Sequence, residues 1–521
     1  MPSSLTYPGV YVEEIPSGVR TITGVSTSDT AFIDFFKRGP TDTAVRLTSY
    51  GDFERTFGGL DQRSEASYAI KQFYSNGGSI AWVVRVIAKN AAAASLGLSG
   101  GSTSAGGPTL IVRAASPGKW GNLLKIAVDH NTRDANSFNL EVREVDIVSG
   151  REQVLGSEMF RNLSMDKTVP RYAADVINNK PAFIQVEDKN LGEIPESKNF
   201  TALQGGTDGD EPGSTAWESV AADLIKGSES EKKGIYALDK IAPFIFNLLC
   251  VPAAARLPQA QLNSVYTECS KYCLEKRAFL LIDPRYEDTG TYREMISWME
   301  TNSGMGGDRA AVYFPSLEIP DPLNEYRPRI VGPSGTVAGI FARTDAARGV
   351  WKAPAGTDAT LRGATLTVKL TDLENGALNP LGINALRNFP IFNNIVWGAR
   401  TLDGADQKAS EWKYIPVRRT ALYIEESLYQ GLKWVVFEPN DEPLWAQIRL
   451  NAGAFMNVLF RQGAFQGKTP REAYFVQCDR ETTTQNDIDR GLVNILVGFA
   501  PLKPAEFVVI KLQQMAGQIQ T

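Results

Sequence analysis

The 521-residue chain has a single histidine, His130, and only four cysteines: Cys250, Cys269, Cys273 and Cys478. One imidazole leaves little for general acid–base or nucleophilic catalysis, work that histidine does most often. Four cysteines in so long a chain make no disulfide framework and suit a reducing compartment. Basic charge is also not in excess. There are 54 Lys and Arg against 59 Asp and Glu, a net charge of −5, with no long basic run. That argues against nucleic acid as the main partner, because phosphate neutralisation needs clustered cations. No stretch approaches the ~20 apolar residues that span a bilayer, so direct membrane insertion is not expected. The opening MPSSLTYPG has no basic segment followed by an apolar core, so no secretory signal is expected and assembly in the cytoplasm follows.

What is present is ordinary globular material, 43% hydrophobic and 22% charged, enough for about three domains at roughly 150 residues each. TAFIDFF (30–36) reads as a buried strand, ASYAIKQFYSNGG (66–78) as a helix closed by Gly77, and AWVVRVIA (81–88) as a second strand. Residues 91–107 give way to Ala, Gly and Ser, the composition of a linker. TLIVRAAS, LLKIAVD, FNLEVRE and AFIQVE then carry β-type patterning up to 186, and a polar, Gly-rich stretch runs over about 187–215. Between 217 and 347, FIFNLLCVP, AFLLIDP and AAVYFP alternate with helical segments near 257–276 and 291–300. Such βαβαβ alternation predicts a parallel sheet with covering helices.

The C-terminal region is the most sharply patterned. Val417, Ala421, Ile424 and Leu428 keep helical spacing, with Gly431 as a stop. A second helix begins near Asn440-Asp441-Glu442-Pro443, with Asn440 as the cap, and carries Leu444, Ile448, Phe455 and Leu459 on one stripe up to Gly463. The chain finishes on Phe507–Leu512. There Val508, Ile510 and Leu512 alternate with Phe507, Val509 and Lys511, a strand apolar on both faces and so in search of a partner. The other end has a similar character. TYPGVYVEEIPSG (6–18) places Tyr7, Val10, Tyr11, Val12 and Ile15 between prolines, which an edge or exchanged strand tolerates and a central strand does not. An ordinary pair of terminal strands closing the chain's own sheet is the alternative.

TYPGVYVEEIPSG, SGTVAGIFARTDAARGVWKAPAG at 334–356 and the segment from Trp412 onward resemble the contractile tail sheath family, in that family's order. The likeness covers roughly residues 5–60 and 330–515. It implies a mixed α/β fold: an N-terminal linking arm (1–25), a core sheath domain (26–90 with 360–505), an inserted β-rich domain (91–215), an inserted non-catalytic α/β domain of subtilisin-like fold (216–359) and a C-terminal linking arm (506–521). It implies a structural subunit that polymerises as stacked hexameric rings around an inner tube and contracts to drive that tube through a target envelope. The expected partners are other copies of the chain, the inner tube protein, baseplate and terminator or cap proteins, and possible second sheath paralogues. A phage-tail-like injection particle is favoured over a true phage tail. Arg449, Arg461, Lys468 and Arg471 are the candidate contacts to the tube, with four solvated or internally paired residues as the alternative.

Enzymatic readings are weighed and set aside. Gly463-Ala-Phe-Gln-Gly467-Lys468-Thr469 approximates a P-loop, but has three residues between the glycines where four are needed and follows a helix instead of a strand. Ser334 in GPSGT does not fit a nucleophile elbow, and His130 lies outside the α/β segment. Cys269 and Cys273, four apart on a helix, lack two further zinc ligands at a familiar spacing and read as small buried residues. Asp283 and Asp308 fall near strand ends and suit turn and capping roles. No enzyme, cofactor or metal is therefore expected. A hydrolase or NTPase is the competing class.

Overall fold

The computed structural model describes residues 20–100, 107–148, 151–179, 181–302 and 304–512. These fall into two compact units. The larger comprises Ser28–Ala346 and Pro354–Lys413. The smaller comprises residues 20–27, Ala347–Ala353 and 414–512. The architecture is mixed α/β, as expected.

Short apolar runs build the larger unit. TAFID, AWVVR, LLC, FLLI and AAVYF are buried along their whole length, the pattern of strands covered on both faces. They belong to one eight-stranded sheet in the order Asn393–Val396, Ile383–Phe389, Ala310–Phe314, Phe279–Ile282, Leu248–Cys250, Thr30–Asp34, Ala81–Arg85, Ala44–Leu47. Inner pairings are parallel, and the two edge strands are antiparallel. On one face Phe32 meets Phe73 of the Glu65–Ser75 helix, and Tyr313 meets Phe341 of the Ser334–Arg348 helix. On the other, Ile33, Leu280 and Val312 share a core with Leu262 and Val265 of the Gln259–Lys276 helix and Met295 of the Tyr292–Asn302 helix.

Every residue from Ser334 to Ala342 is buried. Two glycines permit that. A β-carbon at Gly335 would lie 2.4 Å from the Ala69 carbonyl oxygen, and one at Gly339 2.5 Å from that of Phe73. Both obstacles are backbone, so these glycines set how closely the Ser334–Arg348 and Glu65–Ser75 helices approach.

The sheet corrects the expected domain grouping. Residues 26–90 give three strands to the parallel sheet and so belong with Leu248–Phe314, not with the C-terminal helices. Ile383–Phe389 and Asn393–Val396 join the same sheet. Parallel partners are chosen by burial across long stretches of chain and leave no turn signal to read.

The β-rich insertion has its own core, running from Ala94 to Leu203, over sheets ordered Lys198–Ala202, Leu124–Asp129, Ser137–Val148, Arg151–Ser164 and Ser95–Ser99, Pro108–Ala114, Ile184–Asp188. Ser95–Ser99 is a strand inside the stretch expected to be a linker, and Lys198–Ala202 one inside the polar stretch after 187. The insertion begins and ends at one place: Ala92 and Thr207 exchange backbone hydrogen bonds of 2.9 and 3.0 Å. Fully buried Arg85 clamps it to the sheet, donating to the carbonyls of Phe36 (2.8 Å), Gly39 (2.9 Å) and Pro117 (2.8 Å).

In the smaller unit, the Ile415–Gly431 and Glu442–Arg461 helices form as their spacing requires. The cap of the second is Asp441, whose carboxylate accepts from the Leu444 N–H. Asn440 instead accepts from the Trp445 indole at 2.9 Å and donates to the Leu492 carbonyl at 2.9 Å. Among the described residues no helix is long and apolar enough to cross a membrane.

Candidate functional site

The smaller unit carries roughly half of the exposed large hydrophobic side chains on about a quarter of the described residues. Scattered exposed apolar residues are ordinary, but a concentration of them marks an interaction surface.

Phe507, Val508, Val509, Ile510 and Leu512 are 76 to 94% exposed. The segment forms no ladder with any described residue. A strand is expected there from the sequence; the residues have strand composition but no ladder partner among the described residues, and a lone strand cannot satisfy its backbone. The base of this tail is held where the Tyr414 hydroxyl donates to Glu506 at 3.1 Å. Tyr7, Val10, Tyr11, Val12 and Ile15 lie outside the described residues. The chain that follows them is tied to the same unit. The Arg20 N–H donates to Asn451 at 2.9 Å, the Arg20 guanidinium lies 4.5 Å over Trp434, Ile22 is buried among Ile424 and Phe455, and Val25 N–H donates to Ser427 at 3.2 Å. Residues 20–25 are thus part of the unit's packing, which moves the end of the expected N-terminal arm back from residue 25.

A two-stranded sheet adjoins this core. Tyr474–Gln477 pairs antiparallel with Leu496–Phe499. Tyr474, Val476, Val497 and Phe499 turn inward against Met456 and Phe465, while Phe475 and Leu496 remain about half exposed on the opposite face. Neither outer edge of this pair meets a third strand among the described residues. Two strands alone are marginal in water, so this sheet depends on the helix beneath and offers templates for further pairing.

The four basic candidates separate. Arg449 is engaged within the unit, donating to the Cys478 carbonyl and, at 2.6 Å, to Glu442. Arg461, Lys468 and Arg471 are exposed and form no ion pair among the described residues. The glycine loop that approximates a P-loop joins the Glu442–Arg461 helix to a short turn, with Gly463 at φ +81° and Gly467 at φ +112°. The Lys468 N–H donates to Glu472 at 2.8 Å instead of facing an open cradle.

The remaining chemistry-bearing residues are internal or remote. His130 is exposed, with Nε2 2.8 Å from the Pro195 carbonyl. Ser334 opens a buried helix; its N–H donates to Asp283 at 2.9 Å and its hydroxyl to the other oxygen of the same carboxyl. Asp283 is fully buried, and burial pushes its carboxyl up to about 7. Cys269 and Cys273 are buried, and burial pushes both thiols up, away from the reactive thiolate. Asp308 sits in the Gly307–Arg309 turn. Asp34 has no sequence signal that set it apart, yet it is the counterpart of Asp283. It accepts from the N–H groups of Phe35 (2.7 Å) and Ala66 (2.8 Å) and from the Ser64 hydroxyl, and burial pushes it to about 7 as well.

Residues 407–514 match the phage tail sheath C-terminal domain. The chain is 27% identical over 187 residues to the tail sheath protein of Vibrio phage KVP40, a stretch covering 35% of this chain and 26% of that one. It is 27% identical over 179 residues to a putative prophage major tail sheath protein of Pseudomonas aeruginosa, covering 33% and 43%. The matched stretches thus span less than half of either relative. In fold it is similar to the sheath complex of an extracellular contractile injection system in the contracted state, with a TM-score of 0.58, 20% identity and 98% of both chains covered. The resemblance to tail sheath proteins therefore holds, and the family model places it at the C-terminal segment.

Proposed function

We propose that this chain, with its sheath C-terminal domain at 407–514, is the sheath subunit of a contractile particle. It polymerises as stacked hexameric rings around an inner tube, and contraction drives the tube through a target envelope. The observation that carries this reading is the tail Phe507–Leu512: apolar on both faces, exposed, without a strand partner among the described residues, and rooted in a unit whose own two-stranded sheet meets no third strand among them. Tyr7–Ile15 and Phe507–Leu512 leave their own subunit and add strands to a neighbour's smaller unit. Main-chain hydrogen bonds contribute only about 1 kcal/mol net each, but they recur at every lattice contact. They also leave each subunit able to rotate as a rigid body during contraction. Baseplate and terminator proteins close the two ends of the polymer. Arg461, Lys468 and Arg471 face acidic groups of the tube, where they speed docking and set register.

An injection particle is favoured by the likeness in fold over the full chain, and a true phage tail by the identity to a phage sheath protein. The chain works without catalysis or cofactor. Size-exclusion chromatography with negative-stain microscopy of the expressed protein tests the reading. Rings or tubes are expected, and a persistent monomer that turns over a substrate overturns it.

A further inference from the structure

The eight-stranded sheet carries a knob at one edge and a cleft near the other. The knob is the turn that joins Ile383–Phe389 to Asn393–Val396. Its Ile391 is 82% exposed, Phe392 and Trp397 are about two-fifths exposed, and no charged residue stands between Asn388 and Trp397. The turn is firmly built. Phe389 faces Asn393 at the end of the ladder, the Asn388 side chain donates to that of Asn394 at 2.7 Å, and the rings of Phe389 and Trp397 lie 4.8 Å apart. A rigid turn with a large apolar side chain outward loses little entropy on docking.

The cleft opens at the carboxyl end of Ala81–Arg85 and encloses about 780 Å³. Val86, Ile87 and Ala88 line it, with Pro117 and with Val220 and Leu224 of the Thr215–Lys226 helix. Its polar groups are engaged within the chain: Asn90 with Asp210, Asp42 with the Gly234 N–H, Glu231 with Lys233 and Asp223 with Lys226. Few remain to orient a small polar ligand, and what is left is apolar surface. Lys89 on the rim is exposed and forms no ion pair among the described residues. Knob and cleft both lie at the carboxyl end of the parallel strands. They are five strands apart, roughly 24 Å at ~4.8 Å per strand, so a knob cannot fill the cleft of its own chain.

We propose that the turn around Ile391 of one subunit enters the cleft of the next copy of the chain. An uncharged apolar turn meets apolar walls, and burial of that surface supplies the attraction. Charge agrees with this occupant. Asp372, tied beside the hairpin by its 2.9 Å bond to Arg387 and otherwise open to solvent, is the counter-charge to Lys89 on the rim. Two different surfaces meet, so the contact is heterologous. Each subunit keeps a knob or a cleft free for a further copy, and the contact continues as a ring or helix instead of closing at two. The proposal rests on the sheath reading for a lattice of copies, and adds to the exchanged arms a contact between larger units.

The test uses the full chain assembled into sheaths. A Ser228→Cys/Ile391→Cys double variant puts one thiol in the cleft and one on the knob, while the four native cysteines are buried. Oxidation of its assemblies, extended or contracted, is expected to give a ladder of linked chains beyond the dimer, which neither single variant gives. A photo-crosslinking side chain at position 89 is expected to attach to another copy near Ile391. Ile391→Asp should raise the concentration needed for polymerisation roughly tenfold, the effect of about 1.4 kcal/mol, and leave the monomer's thermal unfolding unmoved. No ladder in either state, linked dimers from Ile391→Cys alone, or Ile391→Asp polymerising as the wild type does overturns the contact. So does attachment of position 89 to Phe507–Leu512, to another protein or to a small molecule. All of these leave the sheath reading in place; a wild-type chain that forms no polymer overturns that reading itself.

Discussion

Raising the pH should weaken the larger unit through two carboxyls that burial holds in the neutral form. Asp34 and Asp283 are fully buried and held at about 7, against an ordinary value of 3.8, and desolvation is the largest cause for both. Below about pH 4 both groups are protonated whether the chain is folded or not. Between about 4 and 7 the unfolded chain ionises while the native state keeps its protons, so the native state binds more of them and stability falls as pH rises. Above about 7 the loss is complete, on the order of 4 kcal/mol per group. Other carboxylates oppose this trend; Asp61, for example, is held below its usual range by its bonds to Arg63. The clean measurement is therefore a difference. Asp283→Asn retains an acceptor for the Ser334 N–H and a donor for its hydroxyl but cannot ionise. Urea unfolding of wild type and variant, repeated from about pH 4.5 to 8, should give a stability difference that moves against the wild type by about 1.4 kcal/mol per pH unit up to about pH 7 and levels off beyond it. A flat difference, or one that moves toward the wild type, refutes the argument.

Four further outcomes follow from the geometry. Val509→Pro, or removal of the chain from Glu506 onward, should abolish polymerisation while shifting the monomer's thermal unfolding by only a few degrees. The side chains concerned are three-quarters exposed and bury no core, so assembled sheaths from the proline variant, or a monomer that unfolds outright, count against exchanged arms. Reversing Arg461, Lys468 and Arg471 should slow tube docking at low salt. Arg449→Ala should instead lower monomer stability by about 1 kcal/mol, since its bonds lie within the unit, and denaturant midpoints alongside docking rates separate the two. Gly339→Ala places a methyl group 2.5 Å from the Phe73 carbonyl oxygen, which cannot yield without moving a helix. A loss of about 3 kcal/mol is expected, and an unchanged unfolding midpoint refutes the close crossing.

Legibility in the sequence followed the range of the interactions. The Ile415–Gly431 and Glu442–Arg461 helices were readable because each repeats its apolar residues against a single core, and a periodic pattern is a local property. Thr30–Asp34 and Leu248–Cys250 were both readable as strands, but their pairing was not, because nothing local records a parallel pairing across so many residues. Arg151–Ser164 went unrecognised for another reason. It is an edge strand exposed on both faces for most of its length, so burial imposes no alternation on REQVLGSEMF. The tail Phe507–Leu512 was recognisable by composition. Arg449 shows the opposite limit: four basic residues look alike in sequence, and only placement beside Glu442 and Cys478 separates it from the other three.

The paired backbone bonds between Ala92 and Thr207 make the β-rich insertion a module with a single doorway. Because the chain leaves and returns at one point, the whole excursion can be lengthened, shortened or exchanged while the register of the eight-stranded sheet stays as it is. A foreign domain whose termini lie close together could be grafted there, with Arg85 kept for the Phe36 and Gly39 carbonyls and a carbonyl of the graft taking the place of Pro117. The doorway thus offers a place to decorate each subunit without touching the tail, the open-edged sheet or the helices of the smaller unit.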